Sequence, residues 1–140
     1  MTDLIVATEA ELGAIPQDEI PINLFPGVDV KGIGLIELAT LHSLVGNAEF
    51  DPVLDAFPTI AGQESEDGPW LNRLPDDFVL ALAGLANDAV AKLAAEWSQT
   101  EEFQGRGWDP EDVEVRLGEI VELARRALQE AKPIHLWTCL

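Results

Sequence analysis

Tyrosine is absent from this chain, cysteine and methionine occur once each, histidine occurs twice, and only eight lysines and arginines stand against 26 aspartates and glutamates. Each scarcity excludes something. With Cys139 alone no intramolecular disulfide can form, so the logic of small disulfide-stapled scaffolds does not apply. No stretch approaches the ~18 uninterrupted apolar residues of a membrane span. The basic residues are dispersed, no tyrosine is present to stack on bases and the field has the wrong sign, so no nucleic-acid partner is expected, and no anionic membrane surface for the same reason of charge. Met1-Thr2-Asp3-Leu4-Ile5-Val6 lacks a basic segment and a long enough apolar run for a signal peptide. Cys139 is second from the end, whereas prenylation needs it fourth. The expected location is the cytoplasm.

The charge is also uneven. Residues 1–72 carry thirteen acids against Lys31 alone, a sum of −12; residues 73–140 carry thirteen against seven Lys and Arg, a sum of −6, for the −18 of the whole chain. Such a field attracts basic partners at rates that fall with salt.

What is present is a globular composition. Hydrophobic residues make up 47% of the chain, too many for a disordered acidic tail. At 140 residues one domain is expected over 1–140, able to bury roughly 65–70% of its unfolded surface. Leu4–Ala7 reads as a short strand running into Thr8, with Glu11 at capping-box spacing. Pro16, Pro21, Pro26, Gly27 and Gly32 make residues 16–32 an ordered loop or meander. Residues 33–45 have helical apolar spacing, Asp51-Pro52 opens a short helix through Phe57, and 61–69 is the most polar stretch and reads as a mobile loop. Pro75-Asp76-Asp77 starts a helical region that breaks at Gly84, restarts at Asn87 and runs to about Trp97.

Asp109-Pro110-Glu111-Asp112 is the strongest helix start. Behind it Val113, Leu117, Ile120, Val121, Ala124, Leu128 and Ala131 fall on one stripe, until Pro133 stops the helix. Asp112–Arg116 and Glu122–Arg126 are i,i+4 pairs in the favoured order. Ile134–Leu140 alternates, with both faces largely apolar, so it is expected at the centre of a sheet beside the N-terminal strand. The fold expected is α+β: a small sheet including the N- and C-terminal strands, covered by several helices, the longest about 110–131.

Four blocks carry a family resemblance. They are Val28-Asp29-Val30 leading to a helix with Leu38, Ala39, Leu41 and His42; Gly68-Pro69 before Leu74-Pro75-Asp76-Asp77; Trp108-Asp109-Pro110; and Ile134-His135-Leu136-Trp137. In order and spacing residues 28–140 resemble the YfbM-like family of small bacterial proteins, whose members are uncharacterised and which has no established catalytic residues. The resemblance implies a fold and assigns no function.

Chemical motifs are missing. Gly32-Ile33-Gly34 lacks the third glycine of a dinucleotide loop, there is no phosphate-binding Gly-Lys-Ser/Thr, and Trp108-Asp109 is a single instance, not a propeller repeat. No Cys-x-x-Cys or His-Glu-x-x-His spacing exists, and Glu64–Gly68 lacks the twelve-residue calcium pattern, so no cofactor or metal is expected. The one enzyme reading is a small cysteine-dependent enzyme. Cys139 and His135 share a strand face but lie about 13 Å apart along it, so His42 would have to approach Cys139, with Glu37 or Asp29 as orienter.

These readings weigh against an enzyme and favour a protein-interaction role, concretely a toxin-neutralising immunity protein with a basic protein partner. The expected contact residues are Asp18, Glu19, Asp29, Glu49, Asp51 and Asp55, with Glu64, Glu66 and Asp67 of the polar loop and Trp70 as a turn-borne anchor. The alternatives are the Cys139–histidine enzyme, a nucleic-acid mimic, and a housekeeping domain whose acidity serves only solubility. Oligomeric state is left open.

Overall fold

The computed structural model describes residues 1–16, 18–46, 56–62 and 68–139, with the backbone alone at 61 and 62. The short helix expected at 51–57 therefore falls, up to Asp55, outside the described residues, as does the centre of the polar stretch.

Strand β1 (Thr2–Val6) passes into α1 (Glu9–Gly13) through the capping box read from the sequence. Glu11 N–H donates to Thr8 Oγ1 at 3.1 Å, and Thr8 N–H donates to Glu11 Oε1 at 3.1 Å. A 3-10 turn (Pro21–Asn23) and a three-residue strand β2 (Gly27–Asp29) follow within the proline-rich meander. Helix α2 (Leu35–Gly46) is followed by β3 (Thr59–Gly62) and β4 (Trp70–Arg73), then by α3 (Asp76–Ala83), α4 (Asn87–Ser98), α5 (Pro110–Glu130) and β5 (Ile134–Thr138).

The five strands form one antiparallel sheet in the order β2-β1-β5-β4-β3, so the N- and C-terminal strands are neighbours and β5 is central. This is the α+β fold the sequence implies. Strands β2 and β3 are additions at the two edges. β3 also shortens the expected 61–69 loop, because Thr59–Gly62 pairs with β4.

Alternation sorts the strand residues onto two faces. Leu4, Val6, Ile134 and Leu136 join the main core beneath α2–α5, together with Phe78, Trp97, Leu117 and Ile120. Ile5, Ala7 and Trp137 turn the other way, with Leu12 of α1, and are flanked by Ile20, Ile22, Phe25, Leu71 and Cys139. The α5 stripe is buried from Val113 through Ala124, but Leu128 is 47% exposed. The last turn has run past the sheet, and the helix ends at Ala131 in the left-handed conformation, two residues before Pro133. No helix among the described residues is long and apolar enough to cross a membrane.

The loop between α4 and α5 folds back on the start of α2. Gly32 has φ +86°, and a Cβ there would lie 3.2 Å from the Trp108 ring, so glycine is required both by the backbone and by the indole above it. Trp108 in turn meets Phe103 edge to face at 5.6 Å, and Phe103 meets Trp97 at 4.9 Å. Trp97 donates from Nε1 to the Glu37 carbonyl at 3.0 Å. Of the turn-borne tryptophans, Trp108 is thus tucked against the core.

Candidate interaction surface

The surface chemistry is set by where the arginines go. Arg116 does not pair with Asp112, nor Arg126 with Glu122, as i,i+4 spacing suggests. Arg116 Nη1 donates to the Asp29 carbonyl at 2.7 Å and pairs with Glu119 at 3.0 Å. Arg126 pairs with Glu130 at 2.9 Å. Arg125 donates to the carbonyls of Ala83 at 3.1 Å and Leu85 at 2.6 Å, and also holds Glu122. Arg106 donates to the Gly32 carbonyl at 2.9 Å and pairs with buried Glu37 at 2.7 Å, whose other oxygen accepts the Gly34 N–H at 2.9 Å.

The physical reason is common to three of them. A carbonyl at a sheet edge, in a tight turn or at a helix C-terminus has no partner of its own, and a guanidinium fork supplies one at fixed geometry. Arg106, Arg116 and Arg125 thus tie the helical layer to β2, α2 and the α3–α4 turn.

The consequence is that Asp112 loses its local partner and joins Glu111 and Glu114, which have no basic residue at helical spacing. Asp109, Glu111, Asp112 and Glu114 are all exposed at the start of α5, and among the described residues none forms an ion pair. Beside them α5 is flanked by two depressions. An open groove of about 1120 Å³ runs along the helix toward β2; Val28, Val115 and Gly118 line it, and the acids Glu119 and Glu122 and the arginines Arg125 and Arg126 stand in its wall. A smaller one of about 390 Å³ lies toward α4, with Asn87, Val90, Glu111 and Glu114 in its wall. Val115 and Gly118 belong to both. Val115 is 64% exposed, and a Cβ at Gly118 would meet nothing within 4 Å.

The contact residues expected from sequence do not form one patch. Asp18 and Glu19 are exposed between α1 and the 3-10 turn. Asp29 is exposed on edge strand β2, where its Oδ1 accepts the Lys31 N–H at 2.9 Å. Trp70 is half-buried on β4, its ring close against Gly68, on the opposite face of the sheet from Asp29 and three strands away. Glu49, Asp51, Asp55, Glu64, Glu66 and Asp67 lie outside the described residues. The acids Asp109, Glu111 and Asp112 read from sequence as a helix start, which does not mark them as an interaction surface. Asp109 does occupy the N-cap position, but its side chain makes no capping bond. The available signal was Gly118, an unexplained glycine in the middle of a strong helical pattern.

The histidines and the thiol sit apart. His42 belongs to the helical side, stacked on Phe78 at 4.6 Å and edge-on to Phe57 at 5.9 Å, with Nε2 3.9 Å from Asp77. Burial pulls its pKa below 6.5 against the opposing pull of Asp77. Cys139 packs with the cluster on the other face, so the sheet lies between this imidazole and the thiol. Glu37 is committed to Arg106 and Gly34, and Asp29 is at the sheet edge.

His135 is fully buried; its Nδ1 donates to the Ala7 carbonyl at 3.1 Å, and its Nε2 has no hydrogen-bond partner among the described residues. Burial lowers its pKa, opposed in part by the Ala7 carbonyl. Asp3, 2% exposed and directly across from Asp29, has its pKa raised above 3.8 by burial first and by Asp29 second, and its Oδ2 is likewise unpartnered among the described residues. Among the described residues no three His, Cys, Asp or Glu side chains come together at metal-binding spacing.

Comparison with protein-family models, with curated proteins and with solved structures finds no match to this chain. The YfbM-like resemblance therefore rests on the four sequence blocks alone.

Proposed function

We propose that this protein is a cytoplasmic protein-interaction module that binds a basic protein partner, in its most concrete form a toxin-neutralising immunity protein. The observation that carries this reading is the destination of the arginines. Arg116 and Arg125 divide their donors between main-chain carbonyls and the later acids Glu119 and Glu122, and neither reaches the first turns of α5, so Glu111, Asp112 and Glu114 form no ion pair among the described residues in a chain of net charge −18. Fixed, unquenched charge of one sign speeds encounter with an oppositely charged protein and repels competitors of its own sign. If acidity served solubility alone, dispersed and locally paired charges would suffice.

The test is titration of the protein with the purified product of the adjacent gene. Submicromolar binding is expected, weakening at least tenfold between 50 and 500 mM salt (on the order of the screening change over that range). Absence of binding at low salt overturns the reading and leaves the acidity as a solubility device. Under the same conditions the triple change Glu111→Gln, Asp112→Asn, Glu114→Gln is expected to slow association several-fold with little effect on dissociation.

A further inference from the structure

We infer that the partner engages this protein through a cationic amphipathic helix that lies along α5, its apolar stripe seated on Val115 and Gly118. The inference rests on the proposed basic partner and adds where and in what conformation it binds. Three observations converge on α5. The two grooves that flank the helix share Val115 and Gly118, so the depression is continuous across the exposed side of α5. At its centre an aliphatic side chain 64% exposed adjoins a glycine with open space above it, which is the arrangement that lets a second helix approach closely and place a side chain over the gap. The rim has an excess of acid: Glu111 and Glu114 on the α4 side form no ion pair among the described residues, while farther along Glu119 and Glu122 are paired with Arg116 and Arg125, so the unpaired charge lies toward the start of α5.

A helix with leucine-like residues at i, i+3, i+4 and i+7, and lysine or arginine flanking them, matches both chemistries at once. A strand or an unstructured basic tail would satisfy the rim and leave the Val115–Gly118 seat empty. A second copy of this chain is disfavoured, because it would bring a further −18 against the same rim.

The test uses the full chain and a fluorescein-labelled 18-residue peptide of leucine and lysine patterned as an amphipathic helix, beside a scrambled peptide of the same composition. Anisotropy is expected to give at least tenfold tighter binding of the patterned peptide. Gly118→Trp, which fills the seat at a solvent-facing helix position, is expected to weaken it at least tenfold with the helical circular dichroism of the protein unchanged. Val115→Glu separates groove docking from bulk attraction: the added negative charge would tighten a purely electrostatic complex, whereas loss of the apolar seat is expected to weaken this one several-fold.

If both variants bind the patterned peptide as well as the parent or better, the α5 seat is wrong. In that case, salt-sensitive binding of the adjacent gene's product would still leave the basic-partner reading standing. Failure of both peptides and of that product at low salt overturns the two readings together. Light scattering that reports a dimer dissociated by Gly118→Trp would assign the groove to a second copy and overturn the cationic helix.

Discussion

On one side of the sheet Leu4, Val6, Ile134 and Leu136 lie beneath four helices, in a core that also holds Phe78 and Trp97; there the Trp97 Nε1–H is bound by the Glu37 carbonyl, and half-buried His42, stacked on Phe78, has Nδ1 unpartnered among the described residues. On the other, Ile5, Ala7 and Trp137 are covered by a five-residue helix and a 3-10 turn, and among them two titratable side chains, Asp3 and His135, are buried with an oxygen and a nitrogen unpartnered among the described residues. The same five strands supply both faces, so the difference comes from what covers them. A thick layer of amphipathic helices can fill space with apolar side chains, whereas a thin cover of short elements leaves strand residues buried by backbone and loop. The first face should therefore hold most of the packing energy and the second most of the pH dependence.

Substituting the buried indoles tests that contrast most severely. Trp97→Ala is expected to cost about 3–5 kcal/mol in chemical denaturation, from the cavity left in the helical layer. It also removes the Nε1 donor from the Glu37 carbonyl. Trp137, 9% exposed beneath the thin cover, should cost less when truncated, because a short helix and a turn can collapse onto the gap more readily than four packed helices. Equal losses at the two positions would break the distinction between the faces. A smaller effect, about 1 kcal/mol, is expected from Thr8→Ala, which removes the side-chain acceptor that caps α1. Limited proteolysis of that variant should accelerate within residues 8–26 and leave α5 intact.

Legibility in the sequence divides along related lines. The Thr8–Glu11 box, the α5 start at Asp109-Pro110, the break at Gly84 and the alternation of Ile134–Thr138 are local patterns with one physical solution each, and the structure has them. Strands β2 and β3 were not legible. Gly27-Val28-Asp29 and Thr59–Gly62 are too short to show a period, and they are strands only because β1 and β4 offer them ladders. The arginine partners are hidden from sequence for a similar reason. Asp112–Arg116 spacing is visible along the chain, whereas the Asp29 carbonyl that wins Arg116 is 87 residues away. Surface charge follows from tertiary acceptors, which is why the N-terminal acids Asp18 and Glu19 drew attention from sequence and the α5 acids did not.

Titration sharpens the contrast further. His135 has a folded pKa below its ordinary 6.5, so the unfolded chain binds its proton more readily than the folded one. Stability from this group is complete above 6.5 and is lost as pH falls below it, with a slope of at most about 1.4 kcal/mol per pH unit for one proton. His135→Asn, which can keep a donor toward the Ala7 carbonyl, is expected to flatten that slope when denaturant midpoints are compared between pH 5 and 7. His42 contributes a slope of the same sign from the helical face. If His42→Gln removes the larger share, the thin face is not the main seat of pH sensitivity.

Asp3 acts in the opposite direction and gives the smallest effect. Its folded pKa is raised, so as pH climbs through 3.8 the unfolded chain releases this proton before the folded one does, and stability falls across the window up to the folded value. Above that window the protein carries a buried carboxylate facing Asp29 across β1 and β2 and Trp137 across β1 and β5. Asp3→Asn keeps the shape and removes the charge. It should raise stability at pH 7 by about 0.5–1 kcal/mol, less than the ~1–3 kcal/mol cost of a buried unsatisfied polar group because the amide is itself polar, and the gain should vanish below pH 3.8, where Asp3 is protonated in both states. Asp18→Asn, at an exposed position, sets the control, with a shift expected within ~0.5 kcal/mol at either pH. A pH-independent gain at Asp3 would mean that shape and not charge is the fault being repaired. The two faces would then differ only in thickness, with the histidines left to account for all of the pH dependence.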